Sequence, residues 1–321
     1  MDNLNNSKYK VGDTFDISLP GGQKIRFCWI PPGSFRMGSR GYRFDEEPVH
    51  DVKITRGFWM AETPVTQAQW MNYVTDQEKQ GITRYEFWNQ GKFSFENSDY
   101  PATDINYWEA WMLCYWLNEY FLEQLPSGFI TGLQTEAEWE YSCRAGTETE
   151  FYTGDGKVAL EKAGWFRDNS DNQHQSVKQK EKNAFGLYDM HGNIFEWFAD
   201  IWDAEAYKKW EIGYENSSSR ELLNMAICRD GESFEQMGIW RPNLSDDCLI
   251  LGGSWDVEAV WCCSAFRSWA KPDYSFYDHG CRLVCVRRLP EVGENGAPDL
   301  DAEEAGGTPS GNNLGGERVG V

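Results

Sequence analysis

Residues 183–197 read NAFGLYDMHGNIFEW, and the rest of the chain is best read outward from this stretch. Two carboxylates, Asp189 and Glu196, flank His191, Gly192 and Asn193, and a glycine there admits backbone conformations that other residues avoid. The segment predicts a tight turn carrying hard oxygen donors, with Gly192 and Ile194 placed to offer backbone carbonyls. Two outcomes stay open: the oxygens surround a cation, or Asp189 caps the turn while Glu196 pairs with a basic side chain.

Upstream, residues 133–141 read LQTEAEWEY. Thr135 and Glu138 form a capping-box pattern that predicts a helix over 136–145, with Gly146 as its stop. Thr66 and Gln69 repeat the pattern and open a helix through Trp70 and Met71 to about Val74. Trp108, Trp111, Met112, Tyr115 and Trp116 recur at helical spacing and predict a helix over 107–122. Strands are expected over 27–30, 49–54, 249–252 and 281–286. In the last, alternation puts Cys281, Leu283 and Cys285 on one face.

The chain has 321 residues, enough for one large domain, and aromatics make up 15% of it, with 16 Trp. Large rigid rings suit a loop-heavy fold, because each fills space that regular elements leave open. The formal net charge of −21 repels phosphate backbones and argues against a nucleic-acid partner. After Arg288 the chain loses its aromatics and carries seven acids against one Arg, so 289–321 reads as a disordered acidic, Gly-rich tail. Residues 1–10 read as an N-terminal extension, 11–288 as the folded domain, and the polar stretch 202–247 as an inserted excursion within it. No apolar leader precedes the domain and no run is long enough to span a membrane, so a cytoplasmic location is the expectation. The nine cysteines lack paired metal-type spacing, and most read as small buried hydrophobes.

Five phrases in order carry a resemblance: WIPPGSFRMG at 29–38, EPVH at 47–50 with ETPVT at 62–66, LQTEAEWEY, NAFGLYDMHGNIFEW, and GGSW at 252–255. The chain resembles the formylglycine-generating-enzyme (sulfatase-modifying factor) family over roughly residues 10–288. The resemblance implies an irregular α+β, C-type-lectin-like fold with few helices, short strands and long loops. It also implies bound structural calcium at Asp189, Gly192, Ile194 and Glu196, a donor set with the hard oxygens this ion prefers.

Enzymes of that family oxidise a sulfatase cysteine to formylglycine with copper(I) held by two cysteines, and soft thiolates suit that ion. The resemblance places the pair three and eight residues after the GGS serine. Counted from Ser254, those positions are Val257 and Cys262, so one thiol is missing and copper(I) is not expected. Cys263 cannot replace it, because adjacent strand residues face opposite sides. Ser254, Cys262, Arg267 and Arg282 would line what remains of the catalytic groove. An iron-dependent branch of the fold carries a histidine cluster that His50, His174, His191 and His279 do not reproduce. No Cys-His pairing is legible either.

A binding or regulatory domain is therefore the leading reading, with a protein or peptide as ligand. An active oxidase is the weaker alternative. A third resemblance points to the variable region of proteins diversified by retroelements. All six residues of 274–279 have codons reachable from AAC by changing its adenines alone. The residues expected to face a ligand are Trp255, Asp256, Val257, Glu258, Val260, Trp261, Cys263, Phe266, Tyr274, Ser275, Phe276, Tyr277, Asp278 and His279. They mix rigid aromatic anchors with adaptable polar groups.

Overall fold

The structure, a computed structural model, describes residues 8–79, 97–210 and 247–288. The expected tail and residues 211–246 of the expected excursion lie outside these, as do residues 1–7 of the extension. The fold is mixed α+β, with short strands in small sheets joined by long loops.

Strands β1 (Thr14–Ser18), β2 (Lys24–Ile30), β5 (Phe58–Ala61), β6 (Phe129–Leu133) and β13 (Leu283–Arg287) form a five-stranded antiparallel sheet in the order β1-β2-β5-β13-β6. A four-stranded sheet, β11-β10-β9-β12, is made of β9 (Phe195–Ile201), β10 (Cys248–Leu251), β11 (Ser268–Ala270) and β12 (His279–Cys281). In it β12 runs parallel to β9. Two small pairs complete the sheets: β3 (Gly33–Met37) with β4 (His50–Ile54), and β7 (Gly164–Trp165) with β8 (His191–Gly192).

The alternation expected near the C-terminal end holds: Cys281, Leu283 and Cys285 join one apolar cluster, while Val284 and Val286 join another. The single strand expected over 281–286 does not. It splits at Arg282, so that Cys281 closes β12 and Leu283 opens β13 in the other sheet. Arg282 is the cause. Its guanidinium is fully buried and donates to Ala61 O, Tyr188 O, Asp189 O and Glu196, demands that a continuous strand could not meet.

Helix α1 (Gln67–Lys79) opens on the expected box: Thr66 N donates to Gln69 Oε1 at 2.9 Å, and Gln69 N donates to Thr66 Oγ1 at 3.4 Å. It runs past Val74, because Tyr73, Val74 and Gln77 still find buried positions. Helix α2 (Tyr107–Phe121) carries a box that the sequence reading missed, Asn106 with Glu109. It packs on the edge strand β6. There Asn118 brackets Thr131, donating to its carbonyl at 3.0 Å and accepting from its amide at 2.7 Å. An open sheet edge is thereby satisfied and closed to further strands.

Helix α3 (Glu136–Arg144) starts on the Thr135–Glu138 box, and it closes on Ala145 in the left-handed region followed by the expected Gly146 at φ +95°. All nine of its residues are buried, including Glu136, Glu138, Glu140 and Arg144. Buried charges need partners. Glu138 accepts from Thr135 N, Glu140 from Arg144, and Glu136 from Arg267. Helices α4 (Lys157–Ala163) and α5 (Ala206–Trp210) were not foreseen. Tyr9, inside the expected extension, packs on Trp29 and Trp59 at 5.0 and 4.8 Å.

Candidate functional site

The turn after β10 carries the residues on which the catalytic reading depends. Gly253 has φ +75°, and a Cβ there would lie 2.5 Å from Cys262 Sγ, so the turn folds directly over that thiol. Ser254 is fully buried and donates to Asp278 Oδ2 at 2.7 Å, while His279 Nδ1 donates to Asp278 Oδ1 at 2.8 Å. Burial works against ionising Asp278, but His279 and Ser254 outweigh it and hold the carboxyl below the usual range. The order is Ser-Asp-His, with a weakly basic carboxylate and no imidazole on the hydroxyl, so this serine is an anchor and not an activated nucleophile.

Cys262 closes a 3-10 turn over Ala259–Cys262, not a strand. Its thiol is fully buried in a cluster of Phe151, Ala159, Leu160 and Phe166, with Val257 and Ala259 packed against it. Desolvation pushes this thiol's ionisation well above the normal range. Val257, the position where the resemblance asks for the second thiol, presents an isopropyl group to the same cluster. The residues present do not fit a two-thiolate copper site. Cys263 is only half-buried and lines a separate cavity, and burial with the nearby Glu150 and Glu46 pushes its thiol up to about 12.

A cysteine and a histidine do meet, which no sequence spacing revealed. Cys143 Sγ lies 3.6 Å from His191 Nε2, across 48 residues. His191 Nδ1 donates to Cys262 O at 2.8 Å, and Nε2 accepts from Tyr152 N at 3.2 Å. Those partners fix a neutral tautomer. Desolvation first, with Arg144 adding to it, pushes the imidazole down to about 3. With both ring nitrogens engaged and so low a basicity, this imidazole does not take the proton of a thiol that burial itself pushes up, so the pair supports the turn rather than chemistry.

Arg267 is likewise fully committed. It forms a bidentate pair with Glu136 at 2.5 and 2.9 Å, donates to Asp45 O and Asp203 O, and lies between the rings of Trp202 and Tyr207. Four of its five N–H groups are engaged and the side chain is 1% exposed, which shuts it off from a substrate. Arg282 is spent in the same way.

The expected calcium donors divide. Glu196 accepts from Arg282 Nε at 2.9 and 3.2 Å and from Gln134 Nε2 at 3.0 Å, so both its oxygens are occupied. Gly192 O accepts from Ile194 N at 2.9 Å. Asp189 Oδ2 accepts from Lys178 N, whereas Asp189 Oδ1 is buried with no hydrogen-bond partner. The Asn193 amide donates to Gln175 O and also favours the ionised form of that carboxyl from close by. Burial pushes Asp189 up to about 6. Among the described residues no cluster of three or more His, Cys, Asp or Glu side chains is placed to hold a metal ion. Of the two expected carboxylates, Asp189 keeps one oxygen without a hydrogen bond, while both oxygens of Glu196 are engaged by Arg282 and Gln134.

Of the fourteen residues expected to face a ligand, Glu258, Val260, Trp261, Tyr274, Ser275, Phe276 and Tyr277 are exposed, Trp255, Asp256, Val257 and Cys263 are half-buried, and Phe266, Asp278 and His279 are buried. The two segments are joined: Trp255 meets the Tyr277 ring at 5.5 Å, and Tyr277 Oη donates to Asp256 Oδ2 at 2.7 Å. Arg167, which the sequence reading missed, donates to Asp256 O at 2.6 Å and reaches Glu258 at 3.5 Å. Its signal was absent, because nothing local couples it to residues about 90 positions away.

A profile of the "Sulfatase-modifying factor enzyme 1-like domain" matches residues 20–287. Among curated relatives, the serine/threonine-protein kinase pkn1 of Chlamydia caviae is 27% identical over 235 residues, covering 68% of this chain and 33% of that protein. The chain thus spans about a third of that relative's length. The formylglycine-generating enzyme of Mycobacterium tuberculosis is 27% identical over 226 residues, covering 52% of this chain and 71% of the enzyme. Among solved structures, PvdO from Pseudomonas aeruginosa superposes with a TM-score of 0.63 at 25% identity, covering 88% of this chain and 100% of that one. Variable protein 1 of Treponema denticola superposes at 0.61 with 21% identity, covering 85% and 98%, a likeness of fold. No helix among the described residues is long and apolar enough to cross a membrane.

Proposed function

The chain belongs to the sulfatase-modifying factor enzyme 1-like family, and from that membership we propose that it acts as a binding or regulatory domain and not as a copper oxidase. One observation carries the reading. The single thiol at a family copper position, Cys262, faces an apolar cluster that includes Val257 at the other position. Gripping a cuprous ion takes converging thiolates, and burying a thiol among phenyl and isopropyl groups holds it protonated. The test is incubation with copper(I), oxygen and a peptide carrying the Cys-x-Pro-x-Arg sulfatase motif, followed by an aldehyde-reactive hydrazide. No labelling is expected. Labelling above a copper-free control would refute the reading.

The binding surface is the paired segments 255–263 and 274–279, whose exposed rings are tied by Tyr277 to Asp256. Rings restrained this way lose little entropy on binding a protein or peptide. The same exposure favours a second reading, in which these segments are genetically diversified. A reverse-transcriptase gene beside a near-copy of the coding segment for 252–283 would support it, and a neighbourhood without either would reject it. Calcium remains part of the proposal at Asp189 with the carbonyls of Gly192 and Ile194. The ion would neutralise the unpartnered carboxyl oxygen and pin the turn.

A further inference from the structure

A cavity of about 530 Å³ lies between the loop after β3, the segment following α3, and the turn that carries Val260 and Cys263. Val260 and Cys263 of the 255–263 segment line it while Ser254, Trp255 and Tyr277 do not, so it adjoins the surface described above without including its ring pair. Its inner wall includes Glu46, which is only 3% exposed. One oxygen of this carboxylate accepts from Ser39 Oγ, and the other accepts no hydrogen bond among the described residues. Tyr42 and Val260, both largely exposed, form an apolar lip.

Four arginines share the wall, and two are committed. Arg43 pairs with Asp45 at 3.0 Å, and Arg144 with Glu140 at 2.8 Å. Arg36 and Arg40 are exposed at the cavity edge, with no carboxylate paired to either among the described residues. The remaining acids are mostly engaged as well. Glu150 takes Tyr42 Oη and Gly156 N, and Asp155 takes Glu150 N, while Glu148 sits on the exposed rim. The cavity therefore offers one buried carboxyl with an oxygen that accepts no hydrogen bond from the described residues, and two exposed guanidinium groups that pair with no carboxylate among them. A buried carboxyl without a cation is costly, and a ligand bringing both charges would relieve both ends.

We propose that this cavity binds the zwitterion of an α-amino acid, with its ammonium on Glu46, its carboxylate on Arg36 and Arg40, and its side chain against Tyr42 and Val260. The volume suits a small molecule of this class. Desolvation pushes Glu46 up to about 7, with Asp45 and Glu140 adding to it against Ser39 and Arg43. An ammonium partner needs the ionised form, so binding strengthens as pH rises through that value. Affinity is expected to fall about tenfold from pH 8 to pH 6.

The test is calorimetric titration of the full chain at pH 8 with the proteinogenic α-amino acids, n-propylamine and propionate. At least one amino acid is expected to bind saturably with one-to-one stoichiometry, and neither half-ligand should match it. Glu46→Gln, isosteric with the protonated acid, should weaken that binding at least tenfold while its circular dichroism stays unchanged. Arg40→Ala, a surface change, should weaken it without touching the fold. No saturable binder in the panel, full affinity in Glu46→Gln, or affinity independent of pH between 6 and 8 would each overturn the proposal.

Discussion

Asp189 shows how a single buried carboxyl sets a pH response. Burial raises it to about 6 against an ordinary value of 3.8. Below 3.8 the folded and unfolded forms both hold the proton. Between the two values only the folded form holds it, so stability falls as pH rises through this window, by on the order of 3 kcal/mol. Asp189→Asn should flatten that slope in urea unfolding followed at pH 4 to 7, and the difference from wild type isolates this residue from Glu46 and Glu109, both raised to about 7. Calcium bound at Asp189, as proposed, would reverse the sign, because the ion binds the ionised form. Calcium over chelator should then raise the melting temperature of wild type at pH 7 and leave Asp189→Asn unmoved. An identical melting temperature in both for wild type removes the ion from this turn.

At the scale of elements, capping and close approach divide the labour. The Thr135 hydroxyl and the Glu138 carboxylate satisfy each other's backbone amides at the start of α3. Thr135→Ala should cost about 1 kcal/mol, read as a lower urea midpoint with an unchanged slope. Gly192→Ala should cost far more, because β8 passes so close to β7 that a Cβ would stand 2.0 Å from Trp165 O, at a φ of +73°. A soluble Gly192→Ala protein with a wild-type midpoint would contradict that packing. The capping boxes at Thr66 and Thr135 were legible because a cap involves residues only three apart. The start of α2 was read from its tryptophans, while its own Asn106–Glu109 box passed unnoticed for lack of a Ser or Thr. The split of the 281–286 stretch into β12 and β13 was not legible. Its pattern of alternation is unbroken, and the break comes from the carbonyls that Arg282 must satisfy.

At the scale of the molecule, two buried arginines connect distant parts of the chain. Arg282 links β5, the 188–189 turn and Glu196 of β9, and Arg267 links Glu136 of α3 to the loops at Asp45 and Asp203. Removing one partner of a buried pair leaves the other charge uncompensated, at roughly 3–5 kcal/mol. Arg282→Met should lose about that much in urea unfolding, and Arg282→Met with Glu196→Gln should recover part of it. A double variant as unstable as the sum of both singles would mean the two side chains do not act as a pair.

What the chain's own order of residues determined was local or compositional: where α1 and α3 begin, the acid-glycine turn at 189–196, the ring-rich core, and the valine at the position of a copper thiol. Tertiary structure alone decided which acid meets which base, across 86 residues for Arg282 with Glu196 and 131 for Arg267 with Glu136. It also decided which aromatics of the two C-terminal segments stay in solvent, and that Glu46 would be buried beside a cavity. The physical reason is range. A cap or a turn is satisfied within a few residues, whereas a buried charge accepts whatever partner the packed chain brings to it.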